Sequence, residues 1–600
     1  MSSRRHWRLR GTVTLVGLAA TIFAASCGSG GTTANKTTAT FAEPPGASPN
    51  YIFPLMPLKY FSINNGDQFQ ALLYRPLYWY TTKGQVNLNT SLSLANPPQY
   101  SADGKSVTVT LKSYMWSDGT PVTTRDIEFW QNLVKANKAN WAAYSPGEYP
   151  DNVTGVTVNS PSSITFQLSQ AYGSYFFTYN ELSQITPLPQ HVWDKESATG
   201  TVGDYDKTTA GAQAVYNFMA AQSADVSTYD TNPLWQVVDG PWKLKSLNTA
   251  GALKLVPNTM YSGPIKARLT EFDEIPFTKD TAEFNELKSG NGVIDWGYLP
   301  QQDVPQKDQI SSLGYRFEPW VDWGITYFPE NFTNPTSGPI FNQVYFRQVM
   351  QLLIDQPTFI KRAYNGYAYG TYGPVPTKPP SNFVDATERN NPFPYNPAKA
   401  VSMLQSNGWT VNAGSVSTCA KPGTGAGQCG AGVPNGAKAA FNLEYASGTP
   451  ALDIEMAQFK TDFAQAGIQL TLSTAPFNTV IGNAVPCSAG QACKWDMEYW
   501  GGGWSYTPDF YPTGDELWAT GAGSNSGAFT DPMMDSLITA TEVSNSVQAM
   551  YAYEDYAATH PPVVWMPTAY YELNEINTHL QGVDPLDPVL NLNPENWYWQ

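Results

Sequence analysis

Between Tyr100 and Ala136 the chain changes its hydrophobic period. Val107, Val109 and Leu111 alternate with Ser106, Thr108, Thr110 and Lys112, the period of a half-buried strand. Asp103-Gly104 precedes it and Asp118-Gly119-Thr120-Pro121 follows, both turn signals. Thr123 with Asp126 three places on predicts a capped helix start, and Ile127, Trp130, Leu133 and Val134 supply the apolar face behind it. The same logic predicts a strand over Ser163–Leu168. It predicts helices carrying Phe346, Val349, Met350 and Leu353, and Leu452, Met456, Phe459 and Phe463, the latter ending at Gly467. A further helix should be capped by Asn396, carry Pro397 at its first position and stop at Asn407-Gly408.

With 600 residues, these elements exceed one ordinary hydrophobic core, so at least two domains are expected. Charged residues make up only 14% of the chain and aromatic residues another 14%, which suggests a loop-rich secreted protein. A formal net charge of −16 argues against a nucleic-acid partner and against electrostatic docking on an anionic membrane.

The N-terminus reads as an address. Arg4, Arg5, Arg8 and Arg10 precede an apolar run from Val13 to Ala25, shorter than the ~20 residues of a permanent membrane span. Residues 1–26 are therefore expected to be a secretory signal, of the general or the twin-arginine kind, since Ser3-Arg4-Arg5 fits either. Ala24-Ala25-Ser26-Cys27 resembles a bacterial lipobox, which implies a lipid on Cys27 and a membrane anchor. The small and polar composition that follows suggests a flexible tether over residues 27–47. Setting Cys27 aside leaves Cys419, Cys429, Cys487 and Cys493, an even number in an oxidising compartment. Of three connectivities, nearest-neighbour pairing, Cys419–Cys429 and Cys487–Cys493, is expected. Zinc is disfavoured because no histidine lies near and the spacing is wrong.

Particular words then carry a family resemblance. Trp116-Ser117-Asp118-Gly119-Thr120-Pro121-Val122-Thr123 with Asp126, the element Pro187–Trp193 and the segment Phe284–Pro300 resemble those of the extracytoplasmic solute-binding proteins of ABC importers, family 5, the oligopeptide- and dipeptide-binding class. Tyr345-Phe346-Arg347, Tyr395–Trp409 and Glu498–Trp518 resemble further words of the same family. The resemblance implies an α/β, two-lobed periplasmic-binding-protein-like fold of cluster C type, with an extra inserted domain in the first lobe. On that reading lobe 1 comprises residues 48–75, 185–276 and 495–600, residues 76–184 form the inserted domain, and residues 277–494 form lobe 2. It implies a peptide or other small solute bound between the lobes, a permease with its ATPase as partner, a monomer, and no cofactor.

In peptide-binding members, an aspartate three residues after the tryptophan of the Glu498–Trp518 element holds the peptide ammonium. Here Trp504 is followed at that spacing by Thr507, and an acid comes two places later, at Asp509. Trp504, Tyr506 and Asp509 are therefore the first candidate ligand contacts, and Trp320, Asp322 and Trp323 the second, expected in the other lobe. No metal site is expected, because His6, His191, His560 and His579 never fall at ligand spacing. His191 reads as a packed structural residue. No catalytic residue is assigned, since neither a nucleophile-elbow nor a zinc-protease motif occurs. The alternatives are a non-peptide solute (an opine, a glycan fragment, a metal chelate or an antibiotic), a secreted hydrolase, and a ligand sensor that transports nothing.

Overall fold

The computed structural model describes residues 36–45, 47–487 and 495–600. The signal segment, Cys27 and Cys493 lie outside the described residues. Around Trp116 the local expectations are met. Strand Ser106–Thr110 leads to helix Thr124–Asn137, whose N-cap Thr123 forms a reciprocal capping box with Asp126. Trp116 is fully buried and donates its indole N–H to Asp126 at 3.4 Å, so the helix start is pinned to the turn before it. That strand joins Gln99–Tyr100, Ser163–Leu168 and Val153–Ser160 in a four-stranded antiparallel sheet, all of it within residues 76–184.

A larger sheet draws on distant parts of the chain. Its seven strands run in the order Tyr315–Trp320, Glu572–Asn577, Trp296–Tyr298, Thr38–Glu43, Glu271–Pro276, Leu253–Pro257 and Trp242–Leu247. Two expectations change here. The tether to residue 47 is shorter, because Thr38–Glu43 is the middle strand of this sheet, with Ala39, Phe41 and Ala42 buried. The switch at residue 277 also comes later, because Trp296–Tyr298 and Tyr315–Trp320 still hydrogen-bond into the same sheet.

Beyond Trp320 the chain builds a second centre. Strands Gln469–Ala475, Ala440–Ala446 and Met497–Tyr499 pair in parallel, so the earlier boundary at residue 494 moves past Tyr499. Helix Pro450–Ala464 is the crossover between two of them, and Met456, Phe459 and Phe463 are its buried face. Helix Pro397–Ser406 carries the expected Asn396 cap, which accepts from the Lys399 N–H at 2.9 Å. Cys419 and Cys429 are bridged as expected, and Cys487 is also disulfide-bonded.

A third small sheet joins the two centres, in the order Gly503–Ser505, Gly324–Phe328, Val564–Met566. Its links to the large sheet are short. Residues 321–323 follow Trp320, and residues 567–571 precede Glu572. Gly503 pairs so closely with the facing strand that a Cβ there would collide with the carbonyl oxygen of Ile325. Among the described residues, no helix is long and apolar enough to cross a membrane.

Candidate ligand cavity

Gly503–Ser505 forms part of the wall of a cavity of about 1150 Å3, above the ~300–1,000 Å3 usual for a small-molecule site. Tyr74, Trp79, Tyr80, Trp500, Trp504 and Phe510 give it aromatic walls, and Phe477 and Ile481 come from the opposite centre of the chain. The aromatic side is rigidly built. Tyr80 stacks on Phe510 at 4.1 Å between ring centres and donates its hydroxyl to the carbonyl of Thr178 at 2.5 Å. Among the described residues, two charged side chains line the cavity, Lys59, which is exposed, and Asp67, which is half-buried.

Trp504 is half-buried on this wall, and its indole N–H donates to Asp509 Oδ2 at 2.9 Å. Asp509 and Tyr506 do not line the cavity. Asp509 is buried behind Trp504, and burial, with Asp515 nearby, holds its carboxyl well above the usual range. Tyr506 is buried and donates its hydroxyl to the carbonyl of Pro374 at 2.6 Å.

The second candidate group lies against the first. Trp323 donates its indole N–H to the carbonyl of Phe510 at 3.0 Å, and its own carbonyl accepts from the Tyr506 N–H at 2.8 Å. Asp322 accepts from the Ser505 hydroxyl at 2.9 Å, and burial raises its carboxyl to about 6. Trp320 is fully buried, with its N–H on the carbonyl of Asp587 at 2.6 Å. Two groups expected in opposite lobes thus meet around one wall. Of the six residues, only Trp504 faces the cavity. His191 is half-buried away from it and bonds Asp118 at 2.9 Å.

The residue that sequence reasoning missed is Asp67. Thr507 donates its hydroxyl to Asp67 Oδ1 at 3.0 Å, so a carboxylate from residue 67 stands against the position where the family's aspartate was expected. Burial raises the Asp67 carboxyl to about 7. The Thr507 bond opposes this, and Asp587 adds to it. The one available signal was indirect: with threonine at 507, either the carboxylate is displaced or the ammonium contact is absent.

This architecture is that of two-lobed binding proteins. The chain matches the oligopeptide-binding protein AppA from Bacillus subtilis, solved in complex with a nonapeptide, with a TM-score of 0.67 and 16% identity, covering 94% of this chain and all of that one. It matches NikA from Brucella suis, solved with Fe(III)-EDTA, with a TM-score of 0.68 and 16% identity over 94% and 100% of the two chains. Residues 89–525 match the bacterial extracellular solute-binding proteins, family 5 Middle, and the chain belongs to that family. It is also similar to Protein XP55 from Streptomyces lividans, with 22% identity across 72% of this chain and 66% of that protein. The chain spans 66%, 48% and 42% of the lengths of the first curated relatives it matches.

Proposed function

We propose that this protein is the extracytoplasmic receptor of an ABC importer. It captures an oligopeptide in the aromatic cavity, releases it unchanged, and presents it to a membrane permease with its ATPase. The observation that carries this reading is Asp67. A carboxylate held by Thr507 inside a large aromatic cavity offers a charge-assisted hydrogen bond to a peptide ammonium, while flat rings accept varied side chains without reading them. Family membership and the nonapeptide-bound structural relative support the same class. Closure of the two lobes on the solute requires only that the closed state bind it more tightly. Anchoring through a lipid on Cys27 is part of the proposal and rests on the lipobox resemblance.

An anionic chelate such as the one held by the NikA relative finds little here, because Lys59, the one cation among the described lining residues, is exposed. The test is calorimetric titration of the mature protein with a pool of tetra- to octapeptides, then with the same pool acetylated at its N-termini. Binding that acetylation abolishes supports the assignment. Indifference to acetylation removes Asp67 from it, and hydrolysis of the pool would replace the receptor reading by an enzymatic one.

A further inference from the structure

The wall residues Trp504, Ser505 and Thr507 each hold a carboxylate. Trp504 donates to Asp509, Ser505 to Asp322 and Thr507 to Asp67, at 2.9, 2.9 and 3.0 Å. A fourth carboxylate, Asp587, stands behind the lining residue Asn591, whose amide reaches it at 3.4 Å. Among the described residues none of these four acids forms an ion pair with a lysine, arginine or histidine. The titratable groups that face them are acids and phenols. Asp67 sees Asp587 and Tyr571, Asp322 sees Tyr369 and Tyr571, and Asp509 sees Asp515, Glu516 and Tyr506.

We infer that the solute supplies the missing positive charge: the cavity selects cationic ligands with an aromatic or apolar body and discriminates against neutral and anionic ones of the same shape. The inference rests on the receptor reading above and narrows its ligand class beyond a single terminal ammonium. Asp67 on the cavity wall, backed by three further acids and faced among the described lining residues by the exposed Lys59 as the one basic side chain, biases the site towards a positively charged ligand. Burial raises Asp67 to about 7 and Asp322 and Asp587 to about 6, so these acids pass from protonated to ionised between pH 5.5 and 8. A cation beside Asp67, the one of the four acids that lines the cavity, favours its ionised form. The cation's affinity should therefore rise with pH across the interval from 5.5 to 8, as the carboxylates ionise. Aromatic faces beside the acids add cation–π attraction in a partly desolvated site.

The test uses the mature protein, stripped of any co-purified solute by unfolding and refolding. Thermal shifts are recorded at pH 5.5 and 8 with tyramine, tryptamine and spermidine, with N-acetyltyramine and N-acetyltryptamine as neutral counterparts, and with EDTA as the anion. The expected result is that the amines raise the melting temperature, more at pH 8 than at pH 5.5, while the acetylated compounds and EDTA need at least about tenfold higher concentration for an equal shift. Asp67→Asn and, separately, Asp322→Asn should each weaken amine binding and flatten its pH dependence. Equal shifts by amines and their acetyl derivatives, a preference for EDTA, or no amine response at either pH would each overturn the inference. A neutral or anionic solute released intact from the purified protein would do the same while leaving the receptor reading standing. Chemical conversion of the probes would remove both.

Discussion

Replacing Glu274 by glutamine should stabilise this protein at neutral pH and flatten the dependence of its stability on pH. Glu43 and Glu274 sit on the same face of the paired strands Thr38–Glu43 and Glu271–Pro276, where Phe41 is level with Glu274. They are 1% and 2% exposed, so neither charge reaches water. The Ser48 hydroxyl donates to Glu43, but one carboxyl oxygen on each residue has no hydrogen-bond partner. Burial raises both carboxyls, Glu43 to about 7, with only partial relief from Ser48 and from sharing a proton with Glu274. The folded state thus retains a proton that the unfolded chain, with ordinary carboxyls near 4.5, has lost. This contribution is fully present below about pH 4.5 and is lost as pH rises through 7. At about 1.4 kcal/mol per pKa unit, a rise from 4.5 to about 7 corresponds to about 3 kcal/mol. Urea unfolding followed by tryptophan fluorescence at pH 5, 6, 7 and 8 reads it directly. The wild-type midpoint should fall with pH, and Glu274→Gln should raise the midpoint at pH 8 while changing it little at pH 5. A wild-type midpoint that is flat or rises from pH 5 to 8, or a variant that is weaker at pH 8, would refute the reasoning.

The other predictions concern the cavity, the core and the membrane. Trp504→Ala should weaken solute binding about tenfold with the melting temperature nearly unchanged, since the indole is half-buried on the cavity wall; a large loss of stability at unaltered affinity would return Trp504 to the core. Glu595→Gln should cost about 3–5 kcal/mol in urea unfolding, because it removes the carboxylate paired with the guanidinium of the fully buried Arg75, which otherwise lies over the rings of Trp79 and Tyr261 while Asp239 accepts from the Arg75 backbone N–H; an unchanged midpoint would contradict that pairing. Cys27→Ser should move the protein from the membrane fraction to the soluble one, and continued membrane association would remove the lipid-anchor proposal.

The sequence was most legible where the structure is local. The Thr123–Asp126 capping box and the Asn396 cap act within one helical turn, and the structure contains both. Sheet membership was harder to read because it is settled by distant partners. Thr38–Glu43 is flanked by small and polar residues and looks like tether, yet residues 233 positions away pair with it on one side. The wall of the cavity was identified at Trp504 but not completed. An indole on the wall and an indole in the core, such as Trp320, have the same sequence signature, and only the structure shows which N–H meets a buried carbonyl. Asp67 lies 440 residues from Thr507, among polar neighbours that read as loop, so the substitution at 507 and its counterpart could be joined only in three dimensions.

The most direct test of the central claim is native mass spectrometry of the purified mature protein, followed by denaturation and identification of what it releases. The account predicts a family of intact peptides, biased towards those carrying positive charge. A single non-peptide mass would keep the receptor and overturn its peptide ligand, and release of cleavage products instead of intact solute would contradict the claim that this protein only binds.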